Sequence, residues 1–277
     1  ETPVDRCLKV EKLADGQLRQ VVKAAYTVMN STAEVTYTLD RNQRGVQVDL
    51  EVDWKEIGGQ TIPVLDYRVP LAYEAKDYLY DIPAGSIVRR DEPDDVPALQ
   101  YGAALNEKGA SAVLVSDSKY GYRGRDNALA LTLINTSTGP DLYPERGVHH
   151  VKLFAGVTDG CPKETEELAT RFNHPLAYQA GNCRKGTLPL EMGMLALEAK
   201  TSVISAITMA DDGAVIVRLY ETCGKDDEVA LHFGAEVKNA VSVNLLEQDN
   251  GREVRVSGGH VSFTIPANSL FEVKVLR

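Results

Sequence analysis

Asp117 and Asp141, Tyr120 and Tyr122, and the adjacent pair His149-His150 come nearest, in type and spacing, to a chemical arrangement in this chain. Two carboxylates about 5–9 Å apart perform acid–base or nucleophilic work on acetal linkages. The chain holds 40 Asp and Glu residues, so pairs are easily nominated. An Asp in a tight turn more often accepts nearby backbone amides, which is the plainer expectation for Asp117 and Asp141. Tyr120 and Tyr122 share parity and would face the same way in an extended strand, where exposed rings could stack on a ligand. The competing expectation is core filling, with each hydroxyl finding a partner.

His149 and His150 are neighbours in a β-rich run and should point to opposite faces, so the two cannot easily hold one metal. No HExxH, HxH or Cys/His cluster accompanies them, and no GxSxG elbow or phosphate-binding Gly loop is present. His174, before Pro175, reads as a structural hydrogen-bonding residue, and Trp54, the only tryptophan, as a core anchor. The four cysteines, at 7, 161, 183 and 223, match no zinc or redox spacing. They are too sparse for a disulfide scaffold, so reduced thiols are expected, with a Cys161–Cys183 bridge as the alternative. That chemistry suits a cytoplasmic protein. The triplets Asn30-Ser31-Thr32 and Asn135-Thr136-Ser137 have glycosylation form but occur often by chance.

The elements that must position these residues are mostly strands. Val46, Val48, Leu50 and Val52 alternate with Gln47, Asp49 and Glu51, the pattern of a half-buried strand. Short β-rich runs recur at 62–73, 111–115, 128–134 and 148–154. Further runs follow at 202–209, 215–220, 229–233, 241–246, 253–256, 261–265 and 270–276. Asp212-Gly213, Asn250-Gly251 and Gly258-Gly259 supply positive-φ residues for tight turns. One helix is expected at 163–172, entered after Pro162 with Glu164, Glu166 and Glu167 early, where the helix dipole favours acids.

The pattern predicts an all-β protein of antiparallel sandwich type. A polar seam at 181–187 predicts a large sheet pair over 1–185 and a smaller sandwich or closing sheet over 186–277. The 277 residues carry a formal charge of −10, a pI near 5.1, 43% hydrophobic residues and a mean hydropathy of −0.22. These values exclude a phosphate-backbone partner in the absence of a basic stripe. No apolar run approaches the ~20 residues of a membrane helix. The run Asp91-Glu92-Pro93-Asp94-Asp95 reads as a solvated loop.

A collinear series of short motifs spans most of the chain. Val52-Asp53-Trp54 is followed by Tyr67-Arg68-Val69-Pro70, Asp81-Ile82-Pro83 with Gly85, and Arg89-Arg90. Then come Leu105-Asn106, the Asp117-to-Tyr122 step, Leu129–Ile134, Pro140-Asp141, and Gly147 with His149. Asn173-His174-Pro175-Leu176 and Val217-Arg218-Leu219-Tyr220-Glu221 close it. In order and spacing the series resembles the C-terminal β-domain of α-mannosidases of glycoside hydrolase family 38, over residues 35–277.

The resemblance implies a supersandwich of galactose-mutarotase type. It implies a retaining α-mannoside hydrolase whose zinc ion and aspartate nucleophile lie in an N-terminal domain that this sequence lacks. No catalytic residue or metal ligand transfers to this chain. The implied partners are that catalytic domain, in the same polypeptide, and a mannose-containing carbohydrate. Tyr120, Tyr122, Asn135 and Asp141 are the candidates for carbohydrate contact.

Departures from the resemblance are also present. Relatives carry Leu-Leu-Arg-Ser where this chain has Leu133-Ile134-Asn135-Thr136, so the arginine's reach toward substrate is missing. Phe154-Ala155-Gly156 stands where relatives have Pro-His, and Ile207-Thr208 replaces a usual lysine. A stand-alone carbohydrate-binding module is the alternative reading. A small epimerase is disfavoured, since no motif assigns a His and a Glu as acid and base.

Overall fold

The computed structural model describes every residue except Glu1, Asp5, Asp91, Glu92, Tyr143, Cys183, Arg184, Leu188 and Arg277. Part of the acidic run at 91–95, and Cys183 with the bridge considered for it, lie outside the described residues. The chain divides into two compact units, Glu1–Asp81 with Ile87–Pro175, and Ile82–Ser86 with Leu176–Arg277.

The first unit opens with β1 (Cys7–Asp15), β2 (Arg19–Val28), β3 (Ser31–Asp40) and β4 (Gly45–Trp54). The chain continues through β5 (Val64–Pro70), β6 (Asp77–Ile82), β7 (Gly85–Arg90), β8 (Val96–Pro97) and β9 (Tyr101–Ala104), with Ile82 and the first two residues of β7 counted in the second unit. β10 (Ser111–Ser116), β11 (Gly121–Arg125), β12 (Ala128–Asn135), β13 (Gly147–Thr158) and α1 (Pro162–Asn173) complete the first unit. Nine strands form one sheet in the order β1-β2-β3-β4-β13-β10-β9-β6-β7, and a four-stranded sheet has the order β5-β12-β11-β8. All registered pairs are antiparallel, as among β3, β4 and β13.

Period two decides which side chains meet. Val48, Leu50, Val52 and Trp54 of β4 are all buried in one core with Leu129, Leu131 and Leu133 of β12 and Tyr122 of β11. The opposite face of the large sheet is covered by α1. Phe154, Val113, Val115, Tyr101 and Leu79 form a second cluster there with Ala169 and Phe172. Phe154 and Phe172 lie 6.2 Å apart between ring centres. The helix starts as expected, with Pro162 in its first turn and Glu164 beside it, and carries Arg171 in its last turn.

The second unit contains β14 (Leu195–Glu198), β15 (Ser202–Met209), β16 (Val215–Glu221) and β17 (Asp227–Phe233). β18 (Asn239–Val243), β19 (Arg255–Ser257), β20 (His260–Ile265) and β21 (Leu270–Leu276) follow. They form two four-stranded sheets, β14-β17-β20-β19 and β15-β16-β21-β18. The smaller part is thus a sandwich in its own right rather than a single closing sheet. Phe263 and Phe271, one from each sheet, stack at 4.3 Å in its core beside Val217, Leu219, Leu231 and Val273.

Two local differences from the sequence reading have physical causes. The run at 241–246 stops being a strand after Val243, because Oδ1 of Asn244 accepts the amides of Leu246 and Gln248 and turns the chain. The hairpin between β11 and β12 turns on Asp126 and Asn127, both at positive φ (52° and 50°), with no glycine to signal it.

Candidate functional site

Tyr122 lies on β11 facing the core and is fully buried; its hydroxyl donates to the carbonyl of Gln100 at 2.7 Å. Tyr120 precedes the strand and is 58% exposed. The two rings therefore do not share an exposed face. Parity aligns side chains only inside a strand, and β11 begins at Gly121. Asn135 is exposed at the end of β12, and Asp141 is exposed in the loop that follows. Asp117 behaves as a turn residue: one oxygen accepts the Ser118 hydroxyl at 2.7 Å and the Lys152 amide at 3.1 Å.

The buried acids hold backbone. Asp81 accepts the amides of Leu99, Gln100 and Tyr101 at 2.8–3.1 Å, although burial outweighs these bonds and raises its carboxyl above the usual range. Glu56 accepts the Asn30 amide at 2.8 Å and the Ser31 hydroxyl at 2.7 Å. In the second unit Asp227 accepts the amides of Lys200, Thr201 and Ser202, and Glu221 those of Cys223, Gly224 and Asn268. Burial opposes ionisation of Glu56, Asp227 and Glu221, but their hydrogen bonds win and hold all three below the ordinary carboxylate range.

One carboxyl pair is split in the manner of an acid and its base. The bond between Asp159 and Glu164 lowers the first and raises the second. It sits at the entry to α1, where Asp159 accepts the Cys161 amide and Glu164 accepts the Asp159 amide, both at 2.8 Å. These contacts make it a helix-entry device. A glycosidase pair must also leave several ångströms for substrate between its two carboxyls, and this one is in direct contact.

His149 is turned inward and meets the Glu145 carbonyl at 2.5 Å, while His150 is exposed beside Glu51 at 3.6 Å. The opposite facing expected from the strand holds. His174 packs its ring nitrogen 3.2 Å from the Thr170 carbonyl at the end of α1. Sequence reasoning missed a third histidine arrangement: His232 and His260, directly paired across β17 and β20, with Glu198 3.0 Å from the far nitrogen of His232. Their register from separate hairpins carried no local motif. Among the described residues no group of three His, Cys, Asp or Glu side chains is placed to hold a metal.

Two polar surfaces of the first unit remain. On the outward face of the four-stranded sheet, Arg123 bridges Asp66 and Asp95, and the Thr132 hydroxyl lies 3.0 Å and 2.6 Å from those same carboxylates. Asp95 thus belongs to an ion-pair network, although its run read as a solvated loop. An open cleft of about 760 Å³ is lined by Glu74, Lys76, Asp77, Arg90, Glu107 and Asp126. Both are mixed in charge.

The model of the glycosyl hydrolases family 38 C-terminal domain matches residues 2–143. The chain belongs to this family. A second model, the family 38 C-terminal beta sandwich domain, matches residues 201–270 of this family 38 chain. An alpha-mannosidase of Saccharomyces cerevisiae is 25% identical to the domain over 167 residues, covering 52% of the chain and 15% of that protein. Alpha-mannosidase G of Dictyostelium discoideum is 22% identical over 294 residues, covering 96% of the chain and 25% of that protein. The crystal structure of an alpha-mannosidase from Enterococcus faecalis shares the fold at a TM-score of 0.78 and 11% identity, over 97% of this chain and 35% of that one. The family 38 domain thus spans a quarter or less of the length of these two curated relatives.

Proposed function

We propose that this family 38 domain is the non-catalytic C-terminal part of a longer retaining α-mannoside hydrolase. In that protein it supports a zinc-dependent catalytic domain and contributes to the rim of the sugar site. The observation that carries the reading is coverage: the match to alpha-mannosidase G takes in 96% of this chain but 25% of that protein. The chemistry agrees. Asp81, Glu56, Asp227 and Glu221 are committed to backbone and neighbouring hydroxyls, which leaves them unsuited to proton transfer. The reading assigns the zinc chemistry to another part of the polypeptide.

The test is hydrolysis of a chromogenic α-mannoside by the 277-residue chain, with and without added zinc. The expected result is no turnover in either case. Zinc-dependent turnover that persists through purification controls would overturn the proposal. The carbohydrate-binding module reading loses its central observation, because Tyr122 is inside the core.

A further inference from the structure

Between the end of α1 at Asn173 and the start of β14 at Leu195 there is no helix or strand among the described residues. Connections in compact domains rarely exceed ~12–15 residues without structure of their own, and those that do usually have a role. This one is longer, and every described residue from His174 to Met194 is exposed. It is not polar in the way of a solvated loop. Leu176 and Leu190 are 100% and 106% exposed, Tyr178 90%, Met192 70% and Met194 65%. Single exposed apolar residues are ordinary, but five large ones in one strand-free segment, two before and three after its middle, are an unusual concentration of exposed apolar side chains.

Both ends of the segment are tied down. The His174 amide donates to the Thr170 carbonyl at 2.8 Å, and the Met194 carbonyl accepts the Gly234 amide at 3.1 Å. Gly234 has no room for a side chain there, since a Cβ would press on the Gly193 carbonyl oxygen. The segment is thus a strap anchored at each end, with its apolar side chains unspent between the anchors.

We infer that the described residues between 176 and 194 act as a docking strap whose Leu176, Tyr178, Leu190, Met192 and Met194 side chains bury against an apolar surface on the remainder of the same polypeptide. This rests on the function proposed above. The occupant follows from length: the match to alpha-mannosidase G takes in 96% of this chain but 25% of that protein, so most of a protein of that kind lies outside the matched part.

Methionine oxidation reads the inference directly, because exposed thioethers form sulfoxides and buried ones resist. The 277-residue chain and the full encoded polypeptide are treated with dilute hydrogen peroxide and mapped by peptide mass. In the 277-residue chain Met192 and Met194 should oxidise as readily as exposed Met29, at 68%. In the full polypeptide they should oxidise several-fold more slowly. Equal rates in the two proteins would overturn the strap while leaving the domain assignment standing. Protection already present in the 277-residue chain and rising with its concentration would place a second copy on the strap, and would also overturn it. The proposed function fails separately, if the encoded polypeptide carries no further domain. A variant with Leu190→Ser and Met192→Ser checks the cause. It should unfold like wild type as the 277-residue chain, since both side chains are exposed there, and should restore Met194 oxidation in the full polypeptide. Continued protection of Met194 would count against the strap.

Discussion

The indole N–H of Trp54 donates to Oγ1 of Thr136 at 2.9 Å, joining the end of β4 to the residue that follows β12. Both residues are buried, at 2% and 0% exposure, and they come from the two facing sheets of the first unit. The bond therefore reports sandwich closure at that end. Thr136→Val keeps the shape and strands a buried donor, an arrangement that costs about 1–3 kcal/mol. Urea unfolding followed by the fluorescence of the single tryptophan should show that loss and a changed native emission. An unchanged midpoint would mean that the indole finds another acceptor.

The hydroxyl of Tyr122 donates to the Gln100 carbonyl at 2.7 Å. Tyr122→Phe should lower stability by about 1 kcal/mol, the net worth of an ordinary hydrogen bond, and should leave any affinity for mannosides untouched. Tyr120→Ala should leave stability within about 0.5 kcal/mol, as surface substitutions usually do. Sugar titration of both variants separates core from contact. Loss of affinity on Tyr122→Phe alone would contradict the buried assignment.

Gly124 of β11 lies against the ring of Tyr78, and a Cβ built on it would overlap that ring. The large, fully buried Tyr78 has little space in which to yield. Gly124→Ala should therefore cost roughly 1–3 kcal/mol through overpacking. Thermal unfolding measures this, and a variant as stable as wild type would show the sheets able to separate locally.

Acid should weaken the second unit through Asp227 and Glu221. Their folded-state values lie below those of the unfolded chain, where Asp and Glu titrate near ~3.9 and ~4.3. The stability they contribute is complete above the unfolded values and is lost as pH falls through the folded ones. Asp227→Asn should flatten that dependence between about pH 4.5 and 2.5 while lowering stability at neutral pH. Chemical denaturation at stepped pH checks both halves, and an unchanged acid slope in the variant would assign the effect to other groups.

What the sequence made legible was what local periodicity can encode. The alternation of β4, the acidic entry of α1 and the Gly258-Gly259 turn before β20 each depend on neighbours in the chain, and each stands in the structure. The first strand did not show itself because two bulges, between Cys7 and Lys9 and between Lys12 and Ala14, break the period of two. The roles of the buried acids were hidden for a different reason. Asp81 holds amides 18–20 residues away and Asp227 holds amides 25–27 away, so the use of each carboxylate is fixed only when distant turns arrive. Tyr122 illustrates the limit of parity: two residues of like type, two apart, fall in different environments when a strand begins between them.

The same bulged strand decides how the large sheet ends. β1 is an outermost strand and carries exposed Leu8, Val10 and Leu13, a surface that would otherwise invite a strand from a second molecule. The two interruptions in its register misalign the outward backbone groups, and Lys9, Glu11 and Lys12 place charges along the same edge. A further strand on that side would have to match a broken ladder, so the bulges and charges of β1 disfavour edge-to-edge pairing there.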